Sequence, residues 1–333
     1  MTQKKIILTG DRPTGPLHLG HYVGSLQQRV FLQHMHEQFV LIADLQALTD
    51  NFDNPEKVKN NVMQLLMDYY AVGIDYTLSH IFIQSLIPEI AELAILYLNL
   101  VTINRLKRNP TVKTEIAQKN FGDLVTAGFL MYPVHQAADI TIVQANLVPA
   151  GADQLPMIEQ TNEIVDKFNS LYGKIFERVE PLIPQKGSRL PGIDGQAKMG
   201  KSLNNAIYLS DNQDTVHKKV MSMYTDPQHI HVSDPGRIEG NVVFDYLDIF
   251  DSDVNQVARL KEQYQAGGLG DVVLKKRLSE ILNTFLDPIR KKRLEVEHDN
   301  RWLLDSALQS TEKVRCKAEN TMKLVKQALK LIY

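Results

Sequence analysis

Short apolar runs alternate with helical patterns through the first two hundred residues, and this alternation constrains the fold more than any other feature. The runs at 6–8, 39–44 and 81–83 have the length and bounding residues of buried strands. Helical spacing of apolar residues follows each run, Asn54 before Pro55 is a helix start signal, and that helix is predicted to stop near Gly73. Strands alternating with helices predict a parallel sheet with right-handed crossovers, whose ligands bind beyond the carboxyl ends of the strands.

The remaining segments are assigned from local residue types. The basic, proline-containing stretch 107–113 is predicted to be a connector, 132–140 a helix with Pro133 near its start, and 207–209 a short strand that closes the α/β part. After residue 209 only helical patterns follow, and the last one carries an apolar stripe through Val314 and Val325. The predicted fold class is therefore α/β, with a parallel-sheet domain over 1–208 and an all-helical domain over 209–333.

Two histidines follow the first strand. The segment 9–21 contains a Gly/Pro loop and then His18 and His21, placed where an amphipathic helix begins. The apolar face of that helix is predicted from Val23, Leu26 and Val30, with Phe31 and Leu32 as further members. Free backbone N–H groups at a helix start favour an anion, and imidazoles at i and i+3 face the same side. The segment predicts a phosphate-binding turn.

A second polar loop carries two lysines. Lys198 and Lys201 flank Met199 and Gly200 and precede Ser202. A lysine pair around a small residue suits a polyphosphate. The two loops therefore favour phosphate groups as ligands.

Asp139 is conspicuous because the helix around it is otherwise apolar or small. A buried carboxylate needs a donor partner. A structural aspartate bonded to nearby backbone and a ligand-binding aspartate both account for it. Residues 146–154 then form another strand, glycine and helix junction with polar groups at the helix start.

Composition excludes several classes of protein. Cys316 is the only cysteine, so intramolecular disulfides and cysteine-based metal sites are excluded. The N-terminal segment is too polar for a signal peptide, and no apolar run approaches membrane-spanning length, so we expect a cytoplasmic protein without a membrane segment. The net charge of −2 is uneven, because residues 271–333 carry 14 Lys and Arg against 9 Asp and Glu. A bound polyanion and a solvated helix face both explain this excess.

The motif pair at 18–21 and 198–202 resembles the two signatures of class I aminoacyl-tRNA synthetases. Each short motif alone is weak, but the order and context match. The segments 10–15, 71–75, 132–140 and 148–154 further resemble bacterial-type tryptophanyl-tRNA synthetases. The matching blocks lie within about the first two hundred residues. The resemblance implies a homodimer with a Rossmann-like catalytic domain and a helical domain that contacts the tRNA anticodon.

The same resemblance implies activation of L-tryptophan by ATP with Mg²⁺, followed by transfer to a tryptophan-specific tRNA. The implied catalytic residues are His18, His21, Lys198 and Lys201. Residues matching the family's nucleotide-binding positions are Arg12, Pro13, Thr14, Gly20, His21, Gly151, Ala152, Asp153, Leu190, Lys198, Met199, Gly200, Lys201 and Ser202. Asp139 matches the carboxylate that accepts the indole N–H, and Tyr132, Gln136 and Gln154 match the tryptophan pocket. No protein metal site is implied.

The chain departs from the family at three positions. Gly200 stands where serine is usual, and because the lysine spacing is intact we expect loop mobility rather than chemistry to differ. Gln136 replaces a frequent methionine, which leaves the polarity of the pocket open. Thr111 replaces a frequent glutamine, so that role is not transferred.

Two alternatives remain at this point. Tyrosyl-tRNA synthetases share both signatures and a pocket aspartate, although residues 155–159 favour the tryptophan enzyme. A non-catalytic paralogue that binds RNA or senses tryptophan is the other, and the intact histidine and lysine pairs argue against it. The pairs His34/His36 and His229/His231 are predicted to be surface or packing residues.

Overall fold

One parallel sheet organises the larger part of the chain. The computed structural model describes residues 4–118, 121, 124–183, 190–195, 199–200 and 203–333. Its strands pair in the order β3-β2-β1-β4-β5, all parallel, which confirms the predicted α/β class. The strands are β1 Ile6–Asp11, β2 Glu37–Ile42, β3 Ser79–Ile83, β4 Leu147–Pro149 and β5 Glu180–Leu182.

Helices connect and follow these strands. The helices of the described residues are α1 Leu19–His21, α2 Gln27–Leu32, α3 Asp44–Ala47, α4 Pro55–Val72, α5 Pro88–Leu98, α6 Ile103–Arg108, α7 Pro110–Gln118, α8 Ala127–Ile142, α9 Leu155–Tyr172, α10 Gln213–Met221, α11 Val242–Phe250, α12 Val254–Ala266, α13 Asp271–Glu297 and α14 Arg301–Ala328. A π-helical segment, Tyr22–Leu26, joins α1 to α2, and short 3₁₀ turns occupy Leu48–Asp50, Gln84–Leu86 and Ala152–Gln154.

The predicted boundaries of α4 are confirmed, and their causes are visible. The Asn54 side chain accepts a hydrogen bond from the backbone N–H of Lys57, and Pro55 occupies the first helical position. The helix ends at Gly73, whose φ of +100° lies in the left-handed region that favours glycine.

Four local predictions are wrong. The stretch 107–113 is largely helical, because α6 and α7 meet at Asn109. Pro133 lies well inside α8, which begins earlier at a Thr126 cap. The segment 207–209 does not join the sheet and makes only an isolated bridge, whereas the unpredicted edge strand is β5. Phe31 is exposed rather than part of an apolar face.

The chain divides into two compact units that do not follow the predicted boundary at residue 208. Unit 1 comprises the described residues of 1–15, 28–184 and 299–333, and unit 2 those of 16–27 and 185–298. Unit 1 therefore includes α14, whose stripe of Val314, Ala318, Met322 and Val325 is buried in the same apolar cluster as strand residues such as Phe82.

An edge strand explains why α14 belongs with the sheet. β3 lies at one edge, where unpaired backbone groups need a partner. The hydroxyl of Thr311 on α14 accepts a hydrogen bond from the backbone N–H of Ile83 at 3.1 Å, in a buried position. The last helix thus supplies both apolar cover and a backbone partner to β3.

Replacing Thr311 by valine is expected to lower the free energy of unfolding by about 1–3 kcal/mol. Valine keeps the shape but leaves the buried N–H of Ile83 without an acceptor. Thr321→Val is the matched control, since Thr321 is also buried on α14. Urea unfolding of the two variants checks this, and equal losses of stability would contradict the role of Thr311.

Unit 2 is built around α13. The side chains of Leu274, Leu278, Leu282 and Leu286 follow one another at intervals of about one turn on this helix and are fully buried. α10 and α11 pack against the same helix. In the described part of the chain, no helix is both long and apolar enough to cross a membrane.

Candidate active site

The histidine turn of unit 2 is organised by its own backbone. His18 has an extended conformation and immediately precedes α1. Its backbone N–H donates to Nδ1 of His21 at 3.2 Å, and the two ring centroids are 3.8 Å apart. Because Nδ1 of His21 is an acceptor, the proton of the neutral ring sits on Nε2. The neutral ring of His21 therefore carries its N–H donor at Nε2.

The segment 207–209 holds this turn in place. The N–H of Leu19 donates to the carbonyl of Ile207 at 3.0 Å, and the N–H of Leu209 donates to the carbonyl of Leu17 at 2.9 Å. Gly20 fits beside the turn because a Cβ there would come within 3.0 Å of the His18 ring. The supposed closing strand thus supports the first signature motif.

Part of the lysine loop is described. Lys198, Lys201 and Ser202 lie outside the described residues. Met199 is buried, and the N–H of Gly200 donates to the side chain of Asn205 at 2.9 Å. A Cβ at Gly200 would meet Leu203 at 3.4 Å, an ordinary contact, so the family's usual serine would fit here. Leu190, the predicted neighbour of adenine, is also buried in unit 2.

In unit 1 the loop after β1 carries Arg12, Pro13 and Thr14. Its turn is closed by a hydrogen bond from the N–H of Thr14 to the carbonyl of Arg12 at 2.8 Å. The Arg12 guanidinium lies 3.3 Å from the Asp50 carboxylate, and both side chains are at least two-thirds buried. Asp50 was not identified from the sequence.

A buried ion pair anchors the end of β1. Arg29 is 2% exposed and lies 2.6 Å from the carboxylate of Asp11, which also accepts from the Tyr69 hydroxyl at 2.8 Å. Burial lowers the pKa of Arg29, but the charges of Asp11 and Tyr69 and the hydrogen bonds with both together outweigh it, so the pKa is raised. The strand end that precedes Arg12 is therefore fixed.

Tyr132 lies on α8, buried to 6% exposure. Burial raises the pKa of its hydroxyl, the charge of Glu115 raises it further, and the charge of Arg12 opposes both. The effect of Arg12 shows that the loop after β1 and this part of α8 are close enough to interact within unit 1.

Asp139 has polar partners that the sequence did not reveal. It is 1% exposed, and both of its oxygens accept from Nε2 of Gln84, at 2.8 and 2.9 Å. Nδ1 of His135, one turn earlier on α8, is 3.7 Å from the same carboxylate. Burial lowers the pKa of His135, but its hydrogen bond with Asp139 and the charge of Asp139 outweigh this and raise it. The predicted donor partner is therefore a side chain rather than backbone.

The loop after β4 presents the next group of predicted residues. Gly151 precedes the 3₁₀ turn Ala152–Gln154. The Gln154 amide donates to the Asp153 carboxylate at 3.3 Å and lies 3.5 Å from the amide of Gln136. Thr111 donates to the carbonyl of Asp153 at 3.0 Å, so it supports this loop.

The unit 1 residues share one edge of the sheet. Arg12 follows β1, Gln84 follows β3 and Gly151 follows β4, so all leave the carboxyl ends of parallel strands. Among the residues that the structure describes, no group of three His, Cys, Asp or Glu side chains could hold a metal ion.

Comparisons with known proteins place the chain in a family. The model of class I tRNA synthetases specific for tryptophan and tyrosine matches residues 1–287. The tryptophan–tRNA ligase of Clostridium longisporum is 55% identical over 335 residues, covering 99% of this chain and 98% of the relative. That of Streptococcus agalactiae is 55% identical over 337 residues, with 99% of each chain covered. The chain belongs to the bacterial-type tryptophanyl-tRNA synthetases.

Solved structures agree with this family. The tryptophanyl-tRNA synthetase of Campylobacter jejuni, solved with ADP and tryptophan, matches with a TM-score of 0.82 and 29% identity, covering 97% of this chain and 99% of that one. A tyrosyl-tRNA synthetase from Archaeoglobus fulgidus matches at 0.67 and 21% identity, which shows the fold alone. The chain is accordingly an ATP-dependent ligase with a Rossmann-like class I fold, as the resemblance implied.

Proposed function

We propose that the chain activates L-tryptophan with ATP and then transfers it to the 3′ end of a tryptophan-specific tRNA. The observation that carries the proposal is the buried Asp139 carboxylate, which lies at the ligand-binding edge of the sheet with acceptor capacity left beyond its bonds to Gln84. An indole N–H is a matching donor. Asp139 would accept it, with Tyr132 and Gln136 lining the pocket and Gln154 facing the ammonium group.

The first step is an in-line displacement at phosphorus. A carboxylate oxygen of tryptophan attacks the α-phosphorus of ATP, the bond to the β-phosphate oxygen breaks, and pyrophosphate leaves with the electron pair. In the second step a terminal ribose hydroxyl of tRNA attacks the adenylate carbonyl and AMP leaves. The chain forms no covalent bond with substrate, so catalysis consists of positioning and stabilisation of charge.

The two signature motifs would act on the phosphates. His18 and His21 donate hydrogen bonds to phosphate oxygens from the helix start, and Lys198 and Lys201 neutralise the departing pyrophosphate. Arg12, Pro13, Thr14, Gly20, Met199, Gly200 and Ser202 would contact the nucleotide, together with Gly151, Ala152, Asp153 and Leu190.

Mg²⁺ would enter as its complex with ATP. This ion takes phosphate oxygens and water as ligands and needs one or two protein carboxylates at most. The ion would neutralise charge on the polyphosphate.

The assembly and the tRNA contacts are part of the same proposal. We expect a cytoplasmic homodimer, supported by the family and by exposed apolar side chains such as Ile95 and Ile103. The helices that follow residue 209 would contact the anticodon. Sedimentation of the purified chain tests the dimer, and a monomer at micromolar concentration would contradict it.

Charging of tRNA tests the complete reaction. Purified enzyme with ATP, Mg²⁺, labelled tryptophan and bulk bacterial tRNA is expected to produce acid-precipitable label that competing tyrosine does not reduce. A control reaction without ATP should produce none. The proposal would be contradicted if labelled tryptophan gave no precipitable label, or if only a parallel reaction with labelled tyrosine did.

A further inference from the structure

Gln84 holds the Asp139 carboxylate with a geometry that admits one assignment of its amide. Gln84 is fully buried, and its Oε1 accepts from the backbone N–H of Gln46 at 3.0 Å. A backbone N–H requires an acceptor, so Nε2 must be the atom that faces Asp139. Gln84 is therefore fixed as a donor to the carboxylate.

His135 lies within hydrogen-bond distance of the second N–H of the Gln84 amide. The NH₂ group of Gln84 carries two hydrogens, and three acceptor atoms surround it: the two oxygens of Asp139 and Nδ1 of His135 at 3.2 Å. One hydrogen is shared by the carboxylate, and when the proton of the neutral His135 ring is on Nε2, Nδ1 accepts the other. The amide then has partners at both ends and cannot rotate without losing several hydrogen bonds.

The fixed amide of Gln84 restricts the orientation of the Asp139 carboxylate. Terminal carboxylate torsions are broad, so a carboxylate held at one point can still turn. Here one donor lies within hydrogen-bond distance of both oxygens and fixes the position of the carboxylate, and Nδ1 of His135, 3.7 Å from Oδ2, is a second contact that limits its rotation. The outer lone pairs of those oxygens stay as the acceptor sites for a ligand.

We propose that Gln84 is a positioning residue for tryptophan selection, which orients the Asp139 carboxylate so that it accepts the indole N–H. The inference rests on the proposed role of Asp139 and goes beyond it. Gln84 acts through Asp139, so it matters only for side chains that offer an N–H. Discrimination between tryptophan and an analogue without that donor depends on it.

The test is Gln84→Met, which keeps the length of the side chain and removes the donor. In tryptophan-dependent pyrophosphate exchange we expect kcat/KM for tryptophan to fall about 10- to 100-fold, the effect of losing a hydrogen bond to a charged group. The fall should lie in KM for tryptophan, with KM for ATP unchanged. With 3-benzothienylalanine, which has sulfur in place of the N–H, kcat/KM should stay at the wild-type value.

Gln38→Met is the matched control. Gln38 is equally buried in β2, but it lies at the amino end of the strand, where its amide donates to Ser79. Its loss should lower stability without changing the preference for tryptophan over the analogue. If Gln84→Met folds poorly, Gln84→Leu also removes the donor and adds no titratable group, and the same selective loss is expected.

The outcomes separate this inference from the proposed function. If Asp139→Asn loses the preference for tryptophan while both Gln84 variants keep it, Gln84 is not a positioning residue. If the wild-type enzyme itself does not prefer tryptophan over the analogue, the role of Asp139 fails, and the inference fails with it.

Discussion

Alanine in place of His21 is expected to slow tryptophan-dependent pyrophosphate exchange by about 100-fold or more. Nδ1 of His21 accepts from the backbone of His18, which leaves Nε2–H as the donor that would meet a phosphate oxygen. Removing one donor aimed at developing charge typically costs that much in rate. His21 is only partly buried, so the variant should fold. The exchange rate at saturating substrates measures the effect.

The surface residue His34 provides the control for this experiment. His34→Ala removes an exposed imidazole and should exchange at the wild-type rate. Lys198→Ala and Lys201→Ala are expected to match His21→Ala, because both lysines would neutralise the same leaving group. Unchanged activation by Lys201→Ala would show that the lysine loop is assigned wrongly.

Alanine in place of Asp139 should remove the selection of tryptophan over phenylalanine. A buried acceptor shaped for an N–H rejects side chains without one by a factor on the order of 10⁴, and that factor should largely disappear. The variant should also lose about 1–3 kcal/mol of stability, because Nε2 of Gln84 then lacks its carboxylate partner. The ratio of kcat/KM values for the two amino acids measures the selection.

Asp68→Ala separates specificity from stability. Asp68 is also a buried aspartate of unit 1, on α4, so its loss should destabilise the protein without changing the ratio. An Asp139→Ala enzyme that prefers tryptophan as strongly as the wild type would contradict the role of Asp139.

Local signals in the sequence predicted the parts of the fold that depend on neighbouring residues. Helix α4 begins at the Asn54 cap and ends at Gly73. Both ends could be predicted because each depends on a local feature, one capping hydrogen bond and one left-handed φ. The buried runs became β1, β2 and β3 because they are apolar on both faces, as expected for a parallel sheet.

Non-local packing explains what the sequence could not supply. The apolar stripe of α14 predicts a buried face but not its partner, which is the sheet with its edge strand β3. Likewise, the run at 207–209 looks like a strand, and only the fold shows that it braces the histidine turn.

The candidate site shows the same division. The sequence identified His18, His21 and Asp139 as candidate site residues. Their hydrogen-bond partners could not be predicted, because those contacts depend on the fold. Gln84 offered one overlooked signal, since it is a polar residue directly after a buried strand. Asp50 offered none, because its pairing with Arg12 joins segments 38 residues apart.

Amino-acid-dependent exchange of labelled pyrophosphate into ATP shows directly which amino acid the enzyme activates. We predict exchange with tryptophan, and none above background with tyrosine, with phenylalanine or without an amino acid. Exchange with tyrosine instead would identify a tyrosine enzyme. Tight tryptophan binding without any exchange would identify a non-catalytic protein. Either result would contradict the proposed activation of tryptophan by ATP.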